Sequence, residues 1–202
     1  MLIEQLNFSY NSQPIFEDFD FQCQSSLILL MGPSGCGKTT LLKIIGKVFC
    51  ENITYRTFEI QEDSYLILQD DALCPWLSGI DNIIKFFEVD LNILKTIPLF
   101  KHTETFINKK ACALSFGERR MIELLRAIVF KPKLLLLDEP FNYLDYESRK
   151  IISTELIRLI EKDKTSIVFT SHYNEDFGIL NPIIFYFPYS KPISKLSSEK
   201  IN

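Results

Sequence analysis

The sequence predicts an α/β fold with a mainly parallel central sheet flanked by helices, and three observations predict it. Short apolar runs alternate with longer amphipathic stretches along the chain, the pattern of strands joined by crossover helices. The apolar run 27–31 leads into Gly32-Pro33-Ser34-Gly35-Cys36-Gly37-Lys38-Thr39-Thr40 and then into Leu41-Leu42-Lys43-Ile44-Ile45, which reads as strand, glycine-rich loop and helix. Leu134-Leu135-Leu136-Leu137 presents no polar face, so both of its sides must be covered, as in a parallel sheet with helices on each face.

The elements follow in order. Residues 2–8 and 15–21 read as two strands about a turn at Tyr10-Asn11-Ser12-Gln13-Pro14; in the second, Phe19 and Phe21 alternate with Asp18 and Asp20. A helix is expected over 38–48, a loosely alternating strand over 53–60 and a short strand over 64–68. That strand ends where Gln69, Asp70 and Asp71 gather. A helix from Ser78 carries Ile80, Ile83, Ile84 and Phe87 at helical spacing, and 90–100 forms another, interrupted before Pro98. Residues 101–110 read as a polar loop. Ser115 and Glu118 have the spacing of a capping box, opening a helix that runs to Phe130 and stops at Lys131-Pro132. After the leucine strand come a helix over 147–162, a strand over 165–170 and a last strand over 183–187. The Ser/Lys-rich tail from Ser190 is expected to be loosely held.

The bulk numbers narrow the function classes. The 202 residues suit one compact domain or one with a small inserted lobe. Net charge is −4 and no Lys/Arg run occurs, so a nucleic acid is not the expected partner. Five cysteines, Cys23, Cys36, Cys50, Cys74 and Cys112, include no C-x-x-C pair, which argues against a disulfide framework or a zinc site and for a reducing compartment. No signal-peptide pattern opens the chain and no apolar run approaches a membrane span, so a cytosolic protein is expected that touches a membrane only through a partner.

Residues 32–40 fit G-x-x-x-x-G-K-S/T, the phosphate-binding loop, in its required strand–loop–helix context. Glycines 32, 35 and 37 let successive N–H groups point at phosphate oxygens, and the helix N-terminus adds its dipole. Lys38 is expected to reach the β- and γ-phosphates and Thr39 to hold Mg²⁺. Cys36 reads as a small filler in that loop, with an activated thiolate at a helix N-terminus as the alternative. Further candidates end other strands, where ligands collect in open α/β sheets. Asp138 can hold Mg²⁺ and Glu139 can deprotonate an attacking water. Gln69 can ligate the cation or orient water, and His172 can donate to a γ-phosphate oxygen. Leu114-Ser115-Phe116-Gly117-Glu118 offers a hydroxyl, a glycine and free N–H groups at a second helix start, an anion site that fits the nucleotide of another subunit. Tyr10, ending the first strand, caps the core or stacks on a base.

In order and spacing, this set resembles the nucleotide-binding subunit of ABC transporters. Residues 32–40 resemble its Walker A motif, Gln69 its Q-loop, Leu114 to Glu118 its LSGGQ signature and Leu134 to Glu139 its Walker B strand. Asn142-Tyr143-Leu144-Asp145 resembles the D-loop, His172 the switch histidine and Tyr10 the adenine-stacking aromatic. The resemblance implies a P-loop NTPase: a RecA-like core, a trimmed antiparallel β lobe and an inserted helical subdomain at roughly 70–130 of a single domain. It implies ATP and Mg²⁺ bound by residues 32–40, with Gln69 and Asp138 at the metal, Glu139 as general base and His172 on the γ-phosphate. Ser115, Gly117, Glu118 and Asp145 would serve the nucleotide of a second subunit in a head-to-tail dimer. A multi-span membrane permease is the implied partner, together with a substrate-binding protein if the system is an importer. The signature departs from the family at Phe116, where glycine is usual, and at Glu118, where glutamine is. Residues 69–78 resemble the Q-loop region of nitrate, sulfonate and taurine importers, which meets the permease; Trp76 lies there, read either as that contact or as core packing. Residues 114–120 resemble lipopolysaccharide-export ATPases instead, and a soluble ABC-type switch is a further alternative.

Overall fold

The computed structural model describes residues 1–48, 51–61, 63–70, 72–172 and 180–200. Asp71 and Cys50, named above, lie outside them.

Two sheets carry the chain. The smaller is antiparallel: β1 (Leu2–Tyr10) pairs with β2 (Gln13–Gln22) on one edge and with β4 (Ile53–Thr54) and β5 (Thr57–Glu59) on the other. The single strand expected over 53–60 is broken into these two pieces, which keep one register against β1. The break falls at Tyr55 and Arg56, opposite the stretch where Gln5 adopts a left-handed φ of 52° and kinks β1.

The larger sheet has the order β10-β9-β3-β8-β7-β6. Its members are β3 (Leu27–Met31), β6 (Ser64–Ile67), β7 (Leu134–Leu137), β8 (Ser166–Ser171), β9 (Ile183–Tyr186) and β10 (Ser197–Lys200). All neighbours run parallel except β10, which returns antiparallel along β9. Every residue of β3 and β7 is buried, as two-sided cover requires. One face packs with α1 (Lys38–Ile45) and the antiparallel sheet, through Ile28, Leu30, Leu41, Leu136 and Phe19. The other packs with α5 (Phe116–Phe130) and α6 (Tyr146–Asp163), through Leu29, Leu125, Leu137 and Leu156.

Between β6 and β7 the chain also forms α2 (Asp81–Phe87), α3 (Leu91–Lys95), α4 (Pro98–Lys101) and a 3₁₀ turn at Ala111–Ala113. Residues 90–101 split into two short helices at Thr96 and Ile97, ahead of Pro98, whose ring opens α4 at its first position. Helix α1 ends at Ile45, short of the expected Val48, because Gly46 caps it and Lys47 turns left-handed at φ 55°.

The tail corrects two expectations: β9 is not the last strand, and residues 191–200 are held. Ile193 is 1% exposed; its N–H donates to Ile15 O at 3.0 Å and its carbonyl accepts from Glu17 N at 3.1 Å. Ile193, with Leu196 packed beside it, anchors a segment whose Ser/Lys composition reads as loose, and β10 then pairs along β9.

Candidate active site

Strand register decides which residues meet. Met31 lies opposite Ser171 and Leu137 opposite Phe169, so the next row of the sheet places Gly32 beside His172 and Asp138 beside Thr170. Gln69 follows β6 at the same C-terminal edge, where parallel α/β sheets bind ligands.

The loop 32–40 wraps on its glycines. Gly32, Gly35 and Gly37 all have left-handed φ, 151°, 72° and 119°, and a Cβ on Gly32 would lie 2.8 Å from Phe187 Cβ. Gly37 leads directly into α1. Ser34 and Gly35 are exposed at the tip, with Pro33, Thr39 and Thr40 half-buried beside them. Lys38 is buried; its ammonium donates to Gly32 O at 2.7 Å and to Pro33 O at 2.9 Å. Burial holds the Lys38 pKa below the ordinary lysine value, against the raising influence of Cys36, Glu139 and Asp138. Cys36 is 4% exposed, burial that fits the filler reading, although its sulfur lies 3.9 Å from the Lys38 ammonium, a neighbour that favours a thiolate.

Asp138 is buried at the end of β7 and accepts two hydroxyls: Thr39 Oγ1 at 2.8 Å on Oδ2 and Thr170 Oγ1 at 2.7 Å on Oδ1. Thr170 in turn accepts Glu139 N–H at 2.8 Å. Glu139, at a left-handed φ of 50°, directs Oε1 to His172 Nε2 and Oε2 to the amide of Asn142. His172 Nδ1 lies 3.1 Å from Gly32 O and 3.5 Å from Lys38 Nζ. Lys38, Thr39, Asp138, Glu139 and His172 thus form one connected set at the loop. The pairing of a hydroxyl with a single carboxylate offers hard oxygen donors that suit Mg²⁺ completed by phosphate and water. Among the described residues no cluster of three His, Cys, Asp or Glu gathers as an all-protein metal cage would.

Gln69 is exposed, and its backbone rather than its side chain is pinned. Arg120 donates to Gln69 O at 3.1 Å and to Leu68 O at 2.9 Å, pairs with Glu123 at 3.0 Å, and Glu123 accepts Ala72 N–H at 2.8 Å. This buried pair on α5 grips the turn from both sides.

The remaining candidates lie on other elements. Ser115 caps α5 in a full capping box: Ser115 Oγ accepts Glu118 N–H at 3.2 Å and Glu118 Oε2 accepts Ser115 N–H at 2.7 Å. Gly117 packs below, where a Cβ would lie 3.3 Å from Leu144. Asp145 caps α6, its carboxylate accepting Ser148 N–H at 2.8 Å and Ser148 Oγ at 3.0 Å; these bonds hold its pKa below the usual carboxylate range. Tyr10 ends β1, half exposed and edge-on to Phe8.

Three positioning residues escaped the sequence reading: Thr170, Arg120 and the buried Asn82, which bonds the backbone of Cys74 and Ser78; Asn142 entered it only within the D-loop resemblance. A signal existed for two of them. Thr170 is a hydroxyl that directly follows the apolar run 167–169, just ahead of His172, and Arg120 with Glu123 is an i, i+3 charge pair on a buried helix.

Comparison with known proteins agrees with this geometry. A family model described as ABC transporter matches residues 16–142. A spermidine/putrescine import ATP-binding protein PotA of Mycoplasma mycoides subsp. mycoides SC is 34% identical over 184 residues, covering 83% of this chain and 52% of PotA. The taurine import ATP-binding protein TauB of Escherichia coli O157:H7 is 29% identical, covering 86% and 74%. The chain spans about half the length of the PotA relatives it matches. A dimeric bacterial ABC transporter cassette, MJ0796, superimposes with a TM-score of 0.81 at 21% identity, covering 100% of this chain and 98% of the cassette. A family model matching residues 16–142, and a PotA relative 34% identical over 83% of the chain, place this chain in the ABC transporter family.

Proposed function

We infer that the chain is the ATP-binding and ATP-hydrolysing subunit of an ABC importer for a small polar molecule. The observation that carries the ATPase reading is the connected set of Lys38, Thr39, Asp138, Glu139 and His172 at one sheet edge. The import reading rests on the relatives, whose names specify spermidine/putrescine and taurine import.

The roles follow from chemistry and position. The N–H groups of 32–40 and Lys38 bind phosphates, with Tyr10 against the adenine. Mg²⁺, held by Thr39 and Asp138 with Gln69 nearby, supplies charge neutralisation on the phosphate oxygens. Glu139 is the general base and His172 turns to the γ-phosphate. Ser115, Gly117, Glu118 and Asp145 are half of a second site, completed by the nucleotide of a paired subunit. The whole chain acts as one ATPase domain, with the helical segment at roughly 70–130 as its permease-facing part. Among the described residues no helix is long and apolar enough to cross a membrane. In the proposed system a multi-span permease passes the substrate, and an importer adds a substrate-binding protein. The chain then works on the cytoplasmic face of that permease.

Light scattering of wild type and Glu139→Gln with Mg-ATP tests this. A dimer that accumulates in Glu139→Gln and not in wild type is expected, because binding closes the pair and hydrolysis reopens it. ATP bound without a dimer in either protein would count against the two-subunit site.

A further inference from the structure

Each oxygen of the Glu139 carboxylate has its own partner. Oε1 meets His172 Nε2, and Oε2 accepts from Nδ2 of Asn142. A nucleotide would affect these partners differently. His172 also faces Gly32 O and Lys38 Nζ, so it belongs to the groups that incoming phosphate oxygens rearrange. Asn142 sits outside that set. Its backbone N–H donates to Glu139 O at 3.3 Å, and its neighbour Tyr143 rests on Phe116. The backbone bond closes a tight turn that brings residue 142 back to residue 139, and Glu139 and Tyr143, with left-handed φ of 50° and 60°, flank it.

We propose that Asn142 is a positioning residue that anchors Oε2 of Glu139 and thereby leaves Oε1 as the atom that takes the proton from the attacking water. The proposal rests on the ATPase reading above. When His172 leaves Oε1 for the γ-phosphate, the carboxylate loses one of its two tethers. The Asn142 amide keeps the other, so the side chain does not swing away. The vacated Oε1 accepts a proton from water as the water oxygen bonds to the γ-phosphorus. The bond from that phosphorus to the β–γ bridging oxygen breaks, giving ADP and phosphate. An amide suits the anchor because Nδ2 donates without bringing a charge that would neutralise the base.

Steady-state ATP turnover of the full chain tests this, with Asn142→Ala and Asn142→Gln beside Glu139→Gln. Nucleotide affinity is read with the fluorescent analogue MANT-ATP, and stability by thermal melting. Asn142→Ala is expected to lower kcat about ten- to a hundred-fold, the loss that a misplaced catalytic group produces. KM and MANT-ATP affinity should stay within about two-fold, since no phosphate contact is removed. Asn142→Gln, which retains the amide donor, should recover part of the lost kcat. An unchanged or raised kcat in Asn142→Ala overturns the anchor, and so does a loss matched by weaker binding or a lower melting temperature. If wild type does not turn over ATP, or Glu139→Gln retains the full rate, the ATPase reading itself fails and takes the anchor with it. If Glu139→Gln is inactive while Asn142→Ala keeps full rate, only the anchor fails.

Discussion

The ring of Phe116 meets the ring of Tyr143 edge-on, with centroids 5.4 Å apart and 78° between their planes. Arg120 lies 5.5 Å from the centre of the same Phe116 ring while it grips the backbone at Gln69. Phe116, one of the two departures from the family signature, therefore joins three segments: the start of α5, the loop after Glu139 and the turn after β6. Its bulk does not disturb the helix, whose capping box is complete. The Phe116–Tyr143 contact should contribute a coupling energy of about 0.5–1.5 kcal/mol. Urea unfolding of Phe116→Ala, Tyr143→Ala and the double variant measures it. Strictly additive losses would show that the rings do not support each other.

Asp138 joins two strands and a helix through Thr39 and Thr170. Asp138→Ala strands two hydroxyls, and should cost about 1–3 kcal/mol of stability. Asp138→Asn keeps the shape and an acceptor oxygen but loses the charge. Its fold should survive, while the tightening of nucleotide binding by Mg²⁺ disappears. MANT-ATP titrations with Mg²⁺ and with EDTA separate the two effects. Undiminished Mg²⁺ dependence in Asp138→Asn would remove Asp138 from the cation site.

The parts of the site legible in the sequence are those built from neighbours in the chain. The loop 32–40 carries its own glycines and its own lysine, and Ser115 finds Glu118 three residues on, so spacing alone locates both. Thr170 reaches Asp138 across 32 positions, and that contact depends on the register of β7 against β8, which no local pattern states. Asn142 is named within the D-loop, yet its contact with Glu139 follows from a tight turn that composition does not announce. The tail misleads for a similar reason. Ile193 and Leu196 are apolar residues scattered in a polar stretch, and the backbone partners of Ile193, Ile15 and Glu17, lie at the other end of the chain.

Lys38 makes stability depend on pH in a direction opposite to that of a salt-bridged lysine. Its pKa in the folded chain is lowered, first by burial, so between that value and the ordinary one of about 10.4 the unfolded chain holds a proton that the folded chain has released. The contribution of Lys38 to stability therefore rises with pH across this window. It is least favourable below the folded value, where both states are charged and the buried ammonium lacks its hydration. Thermal melts of nucleotide-free wild type and Lys38→Met across the alkaline range should show the difference, wild type minus variant, increasing with pH. A flat or falling difference would mean that the carbonyls of Gly32 and Pro33 outweigh desolvation.

Trp76 is 69% exposed, on a loop that is fixed beneath it. The wholly buried Asn82 accepts Cys74 N–H at 2.7 Å and donates to Cys74 O at 3.1 Å and Ser78 O at 3.0 Å. The core-packing reading of Trp76 is thereby excluded. A large ring held in solvent on a pinned loop, with Phe86 also 54% exposed, has the makings of an interface anchor. Trp76→Ala should change stability by no more than about 0.5 kcal/mol, as for other exposed sites. ATP turnover of the isolated chain should not change. Affinity for the proposed permease in detergent should fall by more than about ten-fold, the loss of a hot-spot residue. Asn82→Ala provides the contrast: it leaves buried backbone groups without partners and should cost about 1–3 kcal/mol of stability. Capture of the permease by Trp76→Ala at wild-type affinity would place the docking surface elsewhere on the chain.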